Sequence, residues 1–313
     1  MNPVIKVNSV EKEYKHFHLG PIDFEVEKGT VVAVVGANGS GKSTLFKTLM
    51  GLAQPDNGYV QLFGLEEQKQ VVDVKNRIGF AGSGLYHAFS QLTVNKLAEF
   101  VSHWYTTLEK DYYEHLLNRY EINGKEKFAN CSLGTQKKVE FVLAMAHRPQ
   151  LLLLDEPSAN VDMLSQRRMR EDLKSFMEQE ENSIVISTYI QDEVKQMCDY
   201  ICILDDGKIK GFFEKDEIRH LWARLWISSL PDQLKNDPRI WKVEEHPLQV
   251  ITNQLPDIEE ELLKCQVDII RIKRLELDDI MEYMFIFNKK TTNTSGVLLK
   301  GDDCNHKNKV KQN

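Results

Sequence analysis

The stretch from Val31 to Leu49, VVAVVGANGSGKSTLFKTL, has the residue types of a phosphate-binding loop. Gly36, Gly41, Lys42 and Ser43 fill the fixed positions of the pattern G-x-x-x-x-G-K-[ST]. Glycines let consecutive backbone N–H groups turn towards a phosphate, and the positive end of the following helix points at the same anion. Lys42 would supply a full charge to the β- and γ-phosphates, and the Ser43 hydroxyl would bind Mg²⁺. The residues predicted to contact the phosphates are Gly36, Ala37, Asn38, Gly39, Ser40, Gly41, Lys42, Ser43 and Thr44.

A second motif supplies carboxylates. The segment LLLLDEP at 151–157 has the pattern of a buried strand that ends in Asp155 and Glu156. Open α/β sheets bind their ligands at the carboxyl ends of the strands, where the phosphate loop would also lie. Asp155 is predicted to hold the metal, and Glu156 is predicted to orient and deprotonate the attacking water.

The elements around these motifs predict an α/β fold. TVVAVV has the apolar, β-branched composition of a strand buried on both faces of a parallel sheet. STLFKTLMGL has helical spacing that places Leu45, Leu49 and Leu52 towards one side. Helix and strand patterns alternate up to ICILDDGKIKGFF, which predicts a hairpin with a turn at Asp206-Gly207.

Composition excludes several classes of protein. The 313-residue chain has a net charge of −7, so it lacks the basic footprint of a nucleic-acid binder. No apolar run approaches the roughly 20 residues that span a bilayer, and the N-terminus lacks the apolar region of a secretory signal. Its five scattered cysteines predict free thiols in a reduced, cytoplasmic chain.

The block CSLGTQKKVEFVLAMAHRPQLLLLDEPSANVD, at 131–162, resembles the signature-to-Walker B region of ATP-binding-cassette (ABC) ATPases. Its SLG form is similar to that of the bacitracin- and antibiotic-type exporter ATPases, and SANVD resembles the family's D-loop. The resemblance covers residues 3–215. It implies a P-loop NTPase cassette with a RecA-like core, a helical subdomain and an antiparallel β subdomain.

The resemblance also implies function. Members of this family bind ATP and Mg²⁺ and dimerise as homo- or heterodimers. Hydrolysis energises a separate transmembrane permease, which would hold this chain at the inner face of the membrane and, for this branch, export a compound. Ser132 and Gly134 would then contact a nucleotide held by the partner chain. Tyr14 occupies the position of the aromatic residue that stacks on adenine, with Phe17 or His16 as alternatives.

Two positions depart from the family pattern. Ser83 stands where relatives carry a glutamine, and Tyr189 stands where they carry a histidine. A serine is shorter than a glutamine, and a neutral phenol offers no positive charge. We therefore expect a slow ATPase or the degenerate half of a heterodimer. There are two alternatives: a non-catalytic nucleotide sensor, and a soluble cassette ATPase of DNA repair or translation. ATPases of the second kind usually carry coiled-coil insertions or basic arms.

The rest of the chain divides into three predicted regions: a cassette at 1–217, an accessory α+β module at 218–287 and a disordered tail at 288–313. Residues 84–140 have helical patterns and include four aromatic residues that could form a docking groove or pack in the core. These are Tyr86, Phe89, Trp104 and Tyr105. The order of patterns after 218 predicts a ferredoxin-like module, which either serves dimer contacts or regulation or is an inert extension. The tail carries six lysines against two aspartates.

Overall fold

The computed structural model describes residues 3–66, 71–82, 84–103, 105 and 108–291. The strands are β1 (Ile5–Tyr14), β2 (Phe17–Val26), β3 (Val31–Val35), β4 (Asn57–Leu62), β5 (Leu65–Glu66), β6 (Ile78–Ala81), β7 (Leu151–Asp155), β8 (Ser183–Ser187), β9 (Tyr200–Asp205), β10 (Lys208–Glu214), β11 (Ala223–Ile227), β12 (Ile240–Glu245), β13 (Leu248–Thr252) and β14 (Ile269–Arg274). The α-helices are α1 (Lys42–Leu49), α2 (Val71–Asn76), α3 (Val94–Ser102), α4 (Lys110–Arg119), α5 (Leu133–Met145), α6 (Met163–Met177), α7 (Gln191–Met197), α8 (Lys215–Leu221), α9 (Leu255–Lys264) and α10 (Leu277–Thr291).

The central sheet has six strands in the order β10-β9-β3-β8-β7-β6. All neighbouring strands are parallel except β10, which forms a hairpin with β9 around the turn at Asp206-Gly207. β3, β7 and β8 are buried along their whole length, as expected for the apolar runs VVAVV, LLLL and IVI that form their centres. Because parallel strands end at one edge, the segments that begin at Gly36, Glu156 and Thr188 lie at the same edge of the sheet.

One face of the central sheet packs against α1 and a second, antiparallel sheet. This sheet has the order β2-β1-β4-β5 and shares a hydrophobic core with Leu45 and Leu49 of α1. Leu52 does not join that face and is 54% exposed. The prediction for Leu52 was wrong because α1 ends at Leu49 and the chain turns at Gly51, whose φ is +66°.

The opposite face of the sheet packs against the helical region. Tyr86 is buried in this core, and Tyr105 stacks on His147 with ring centroids 3.8 Å apart. Phe89 stays exposed beside Phe100, and Trp104 lies outside the described residues. Of the four candidate docking aromatics, Tyr86 and Tyr105 therefore serve the core. Helix α3 ends at Ser102, with His103 as its C-cap.

The C-terminal module is a four-stranded antiparallel sheet in the order β12-β13-β11-β14. This is the strand order of a split βαβ unit, but the first crossover contains only a 3₁₀ turn at Asp232–Leu234. Helix α9 packs on one face of this sheet around Val250, Ile258 and Leu262. Helix α10 joins Ile251, on the other face, to the core of the cassette.

The element boundaries differ from the predicted domain limits. Helix α8 contains residues on both sides of the boundary at 217/218. Helix α10 continues to Thr291, so the first four residues assigned to the tail are helical, while the rest of the tail lies outside the described residues. No helix in the described part of the chain is long and apolar enough to cross a bilayer.

Candidate active site

The phosphate loop needs glycine at two positions for steric reasons. A Cβ on Gly36 would lie 2.2 Å from the carbonyl oxygen of Leu204 and 2.5 Å from Ser40 Oγ. Gly41, with φ +108°, caps the start of α1, and a Cβ there would lie 2.7 Å from the Phe17 ring. The loop is therefore pressed between β9 and the β1–β2 hairpin, with no room for a side chain at these positions.

Lys42 connects the two sequence motifs. Lys42 is only 6% exposed, and its ammonium group donates to the carbonyl oxygens of Gly36 at 2.9 Å and Ala37 at 3.2 Å. It also lies 3.8 Å from the Glu156 carboxylate. These contacts hold the positive charge at the mouth of the loop. The surrounding cleft, of about 280 Å³, is lined by Asn38, Gly39, Gly41, Lys42, Ser43, Thr44 and Glu156.

A buried hydroxyl in the phosphate loop lacks a hydrogen-bond partner in the described part of the chain. Ser40 Oγ is buried and forms no hydrogen bond with any residue that the structure describes, although the Ser40 backbone donates to Ala37 and accepts from Gly207. Unsatisfied buried polar atoms are rare in folded proteins and call for an explanation. An oxyanion held in the loop would supply the missing acceptor, so this orphaned hydroxyl fits a phosphate site.

The carboxylates at the end of β7 are fixed by the neighbouring strand β8. The Ser187 hydroxyl donates to Asp155 Oδ1 at 2.6 Å. The Glu156 N–H donates to the Ser187 hydroxyl and to the Ser187 carbonyl oxygen. Glu156 has φ +50°, a left-handed conformation that is uncommon for residues other than glycine, and the tertiary contacts hold it there. The bend places Glu156 beside Lys42.

The backbone at the end of β7 has a third support from α5. Lys137 Nζ donates to the Asp155 carbonyl oxygen at 3.2 Å and lies 3.6 Å from the Glu140 carboxylate. Glu140 is buried, and burial raises its pKa to about 7, although the nearby Lys137 opposes that rise. A buried Lys–Glu pair thus supports the strand that carries Asp155.

Two loops of the site are joined through one buried carboxylate on α7. Glu193 is 3% exposed and accepts hydrogen bonds from the Ser158 and Thr188 hydroxyls, both at 2.5 Å. Ser158 lies two residues after Glu156, and Thr188 immediately precedes Tyr189. Glu193 therefore fixes the position of one loop relative to the other.

Ser132 and Gly134 lie at the start of α5. Ser132 Oγ caps the helix by accepting from the Thr135 N–H at 3.1 Å. A Cβ on Gly134 would lie 2.5 Å from the Asn160 carbonyl oxygen, so this helix start packs directly on the loop after β7. Within the described residues, no hydrogen bond or ion pair joins Ser132 or Gly134 to the phosphate loop of the same chain.

The aromatic candidates lie at the turn between β1 and β2. Tyr14 is 45% exposed and pairs with Phe17 across the hairpin, and Lys12 lies over the Tyr14 ring. The Phe17 ring contacts the phosphate loop at Gly41. Both rings are therefore available at this edge.

The structure describes one of the two positions that depart from the family pattern. Ser83 lies outside the described residues. Tyr189 follows β8 and is 61% exposed, so its phenol projects from the edge of the sheet that carries the site.

Ser187, Lys137 and Glu193 support the site but were not predicted from the sequence. Ser187 had a usable signal because it ends a buried strand, as Asp155 does. The other two lie on helices, where a lone charged residue resembles an ordinary surface position.

The ABC transporter family model matches residues 19–159. The sulfate/thiosulfate import ATP-binding protein CysA of Synechocystis sp. is 31% identical over 242 residues, which cover 75% of this chain and 67% of CysA. The chain belongs to the ABC transporter ATP-binding protein family. The bacitracin transport ATP-binding protein BcrA of Bacillus licheniformis is 27% identical over 243 residues, 75% of this chain and 78% of BcrA.

Solved structures agree with this assignment. A structure of the ATP-binding subunit of an ABC transporter is 26% identical, covers 69% of this chain and 92% of its own chain, and superposes with a TM-score of 0.62. The α/β P-loop fold predicted from the sequence is confirmed. As an ABC ATP-binding protein, the chain is an ATPase subunit of the class that dimerises and works with transmembrane permeases.

Proposed function

We propose that this ABC protein hydrolyses ATP to energise export through a separate permease. The observation that carries the proposal is the 3.8 Å approach of Lys42 to Glu156, which brings the phosphate loop and the carboxylate that follows β7 into one cleft. The SLG sequence at Ser132–Gly134 and the similarity to BcrA support export. Relatives such as CysA are named as importers, so direction needs its own experiment.

The residues of the cleft have complementary roles in this proposal. Backbone N–H groups of the loop and the Lys42 ammonium bind the phosphates, and Tyr14 or Phe17 stacks on the base. Glu156 orients the attacking water and accepts its proton, while Lys42 stabilises charge on the phosphate oxygens. Ser132 and Gly134 serve the nucleotide of a partner cassette, identical or different, as the family resemblance implies.

Mg²⁺ fits the oxygen groups of this site. Ser43 and Asp155 would hold it, and Mg²⁺ usually keeps several waters and needs few protein ligands beside substrate phosphates. Within the described residues, no group of three or more His, Cys, Asp or Glu forms a metal site of its own, which agrees with a metal that arrives with the nucleotide. When bound, Mg²⁺ neutralises developing charge on the phosphates.

We further propose that turnover is slow. Ser83 and Tyr189 replace two groups that would act on the attacking water and the γ-phosphate, and a lost positioned group commonly lowers the rate by about 10²–10⁴-fold. The chain would then be either a slow ATPase or the degenerate half of a heterodimer. A nucleotide sensor without useful turnover is the second candidate, favoured by the same two residues.

Nucleotide binding is tested with Lys42→Ala. We expect the unaltered protein to bind labelled ATP in the presence of magnesium and the Lys42→Ala variant to lose this binding, because the phosphates lose their main cation. Lys47→Ala, which removes an exposed lysine from the same helix, should bind normally. Equal binding by all three proteins would contradict the assigned phosphate site.

Turnover is tested with Ser83→Gln combined with Tyr189→His. We expect the double variant to hydrolyse ATP at least about tenfold faster than the unaltered chain, because it regains both missing groups. Glu156→Gln should abolish hydrolysis in either background. A fast unaltered enzyme, or no gain from the pair, would refute the slow-site proposal; no turnover in any background would leave the sensor.

The partner and location are tested by purifying the chain from membranes. We expect it to be recovered from the inner face of the cell membrane with a multispan permease and without nucleic acid. Loss of the chain should raise the intracellular level of the transported compound if the direction is export. A fall in that level would indicate import.

A further inference from the structure

One face of the C-terminal sheet carries a group of cations away from the nucleotide cleft. Arg224 on β11 pairs directly with Lys273 on β14, and Trp226 pairs directly with Arg271. Directly opposed residues of an antiparallel pair project on the same face of the sheet. Two arginines and a lysine therefore lie beside one tryptophan.

Nearby carboxylates balance the charge of these cations only in part, since Asp279 lines the same cavity and Glu244 interacts electrostatically with Arg224. In the part of the chain that the structure describes, neither Arg224, Arg271 nor Lys273 forms an ion pair with a carboxylate. Arg271 lies over the Trp226 ring at 5.2 Å from its centroid. Like charges directly opposite one another destabilise a sheet, so the Arg224–Lys273 pair has an unfavourable interaction that a bound anion would remove.

The central arginine is held in position by neutral groups. Arg224 donates to the Tyr283 hydroxyl of α10 at 3.0 Å and lies 3.5 Å from the Gln249 side-chain oxygen. Both contacts are made to neutral groups and restrict its side chain, while the nearby Glu244 carboxylate is paired with Lys242 at 2.5 Å. A restrained guanidinium loses less conformational entropy when it binds an oxyanion.

The side chains surround a concave site. A cavity of about 310 Å³ is lined by Arg224, Trp226, Arg271, Lys273, Leu275 and Asp279. Three cations and one carboxylate give it a net charge of +2. Its size suits a small phosphorylated group, and Asp279 could accept a hydrogen bond from a hydroxyl or amine on the same ligand.

We propose that this module contains a binding site for a phosphate-bearing anion, formed by Arg224, Arg271 and Lys273 beside Trp226. The site is distinct from the ATP cleft. Its ligand is either a free phosphorylated metabolite or the phosphate of an anionic lipid headgroup, since both offer the same oxyanion to the same three cations.

The test uses the full chain carrying Lys42→Ala, which weakens anion binding by the phosphate loop. This protein is compared with one that also carries Arg271→Gln and Lys273→Gln. Inorganic pyrophosphate is titrated by calorimetry, and vesicles of phosphatidylglycerol or phosphatidylcholine are tested by co-sedimentation. We expect the double substitution to weaken binding at least about tenfold, because two charge-assisted contacts are lost. The weakened binding is either that of pyrophosphate, or that of phosphatidylglycerol vesicles with no effect on pyrophosphate. The first result identifies a free ligand and the second a lipid headgroup.

Lys235→Gln plus Lys264→Gln is the matched control, since it removes two cations from the same module where each is paired with a carboxylate. It should leave binding unchanged. Arg271 and Lys273 are both exposed, so replacing them with glutamine should leave the melting temperature unchanged or raise it. Failure of both probes to bind, or equal losses in the two double variants, would overturn the proposed site without affecting the ATP cleft.

Discussion

At the residue scale, the burial of one histidine makes the stability of the fold depend on pH. His147 lies between β6 and the helical region, where its Nε2–H donates to the Ile78 carbonyl oxygen at 3.0 Å and its ring stacks on Tyr105. Burial lowers the pKa of His147 from 6.5 to about 4, because the charged ring would lose its hydration. The neutral form therefore contributes stability that is complete above pH 6.5 and is lost as pH falls towards 4.

We predict that His147→Phe removes this acid sensitivity. The unfolded chain takes up a proton at His147 in the window from 6.5 to 4 while the folded chain does not, so the unaltered protein loses stability relative to the variant. Between pH 7 and 4.5, the difference in free energy of unfolding should shift by roughly 2–3 kcal/mol in favour of the variant. Urea unfolding at several pH values measures this, and parallel curves would show that His147 titrates normally.

At the scale of elements, α7 connects the loops that surround the nucleotide cleft. Its Glu193 accepts from Ser158 after β7 and from Thr188 after β8, and its Val194 and Cys198 are buried in the main core. The core fixes the helix, and Glu193 transmits that position to both loops. Because Ser158 follows Glu156 by two residues and Thr188 precedes Tyr189, we expect Glu193 to act on the geometry of Glu156 and Tyr189 rather than on the phosphate loop.

We predict that Glu193→Gln lowers kcat by roughly tenfold or more with little change in KM for ATP. The amide replaces one acceptor oxygen with a donor, so one of the two hydroxyls loses its partner and its loop shifts away from the productive geometry. The exposed neighbour Asp192 offers a control, because Asp192→Asn leaves both hydrogen bonds in place. A rise in KM alone, or equal effects of the two substitutions, would contradict this role.

At the scale of the whole molecule, the cassette and the C-terminal module share one hydrophobic core. Trp222, Ile280 and Met284 pack in the same cluster as Val194 and Cys198 of α7. An ion pair between Lys195 and Asp278, at 2.5 Å, joins the two regions at the surface. The module is therefore part of the folded unit that supports the cleft.

We predict that truncation after residue 217 lowers the melting temperature by about 5–15 °C. The deletion exposes apolar side chains on α7 and the sheet, whose burial contributes about 1.5–3 kcal/mol each. Truncation after Thr291 is the control and should leave the melting temperature unchanged. Thermal unfolding followed by calorimetry compares the three proteins, and an unaffected 1–217 fragment would show that the cassette is stable by itself.

The sequence by itself determined the features that depend on neighbouring residues. The phosphate loop from Gly36 to Ser43, the Asp155-Glu156 pair and the turn at Asp206-Gly207 were readable because spacing, strand pattern and turn residues are local properties. The family assignment and the α/β fold followed from these motifs and were confirmed. The roles of the individual site residues remain predictions.

Only the tertiary structure decided which distant residues support the site. Ser187 reaches Asp155, Lys137 reaches the end of β7, and Glu193 joins two loops, because the order of strands in the sheet brings segments more than 15 residues apart into contact. Periodicity gives the face on which a side chain lies but not the partner it meets there. For the same reason, the sequence did not predict the cation site of the C-terminal sheet, because its residues lie together only through the pairing of β11 with β14.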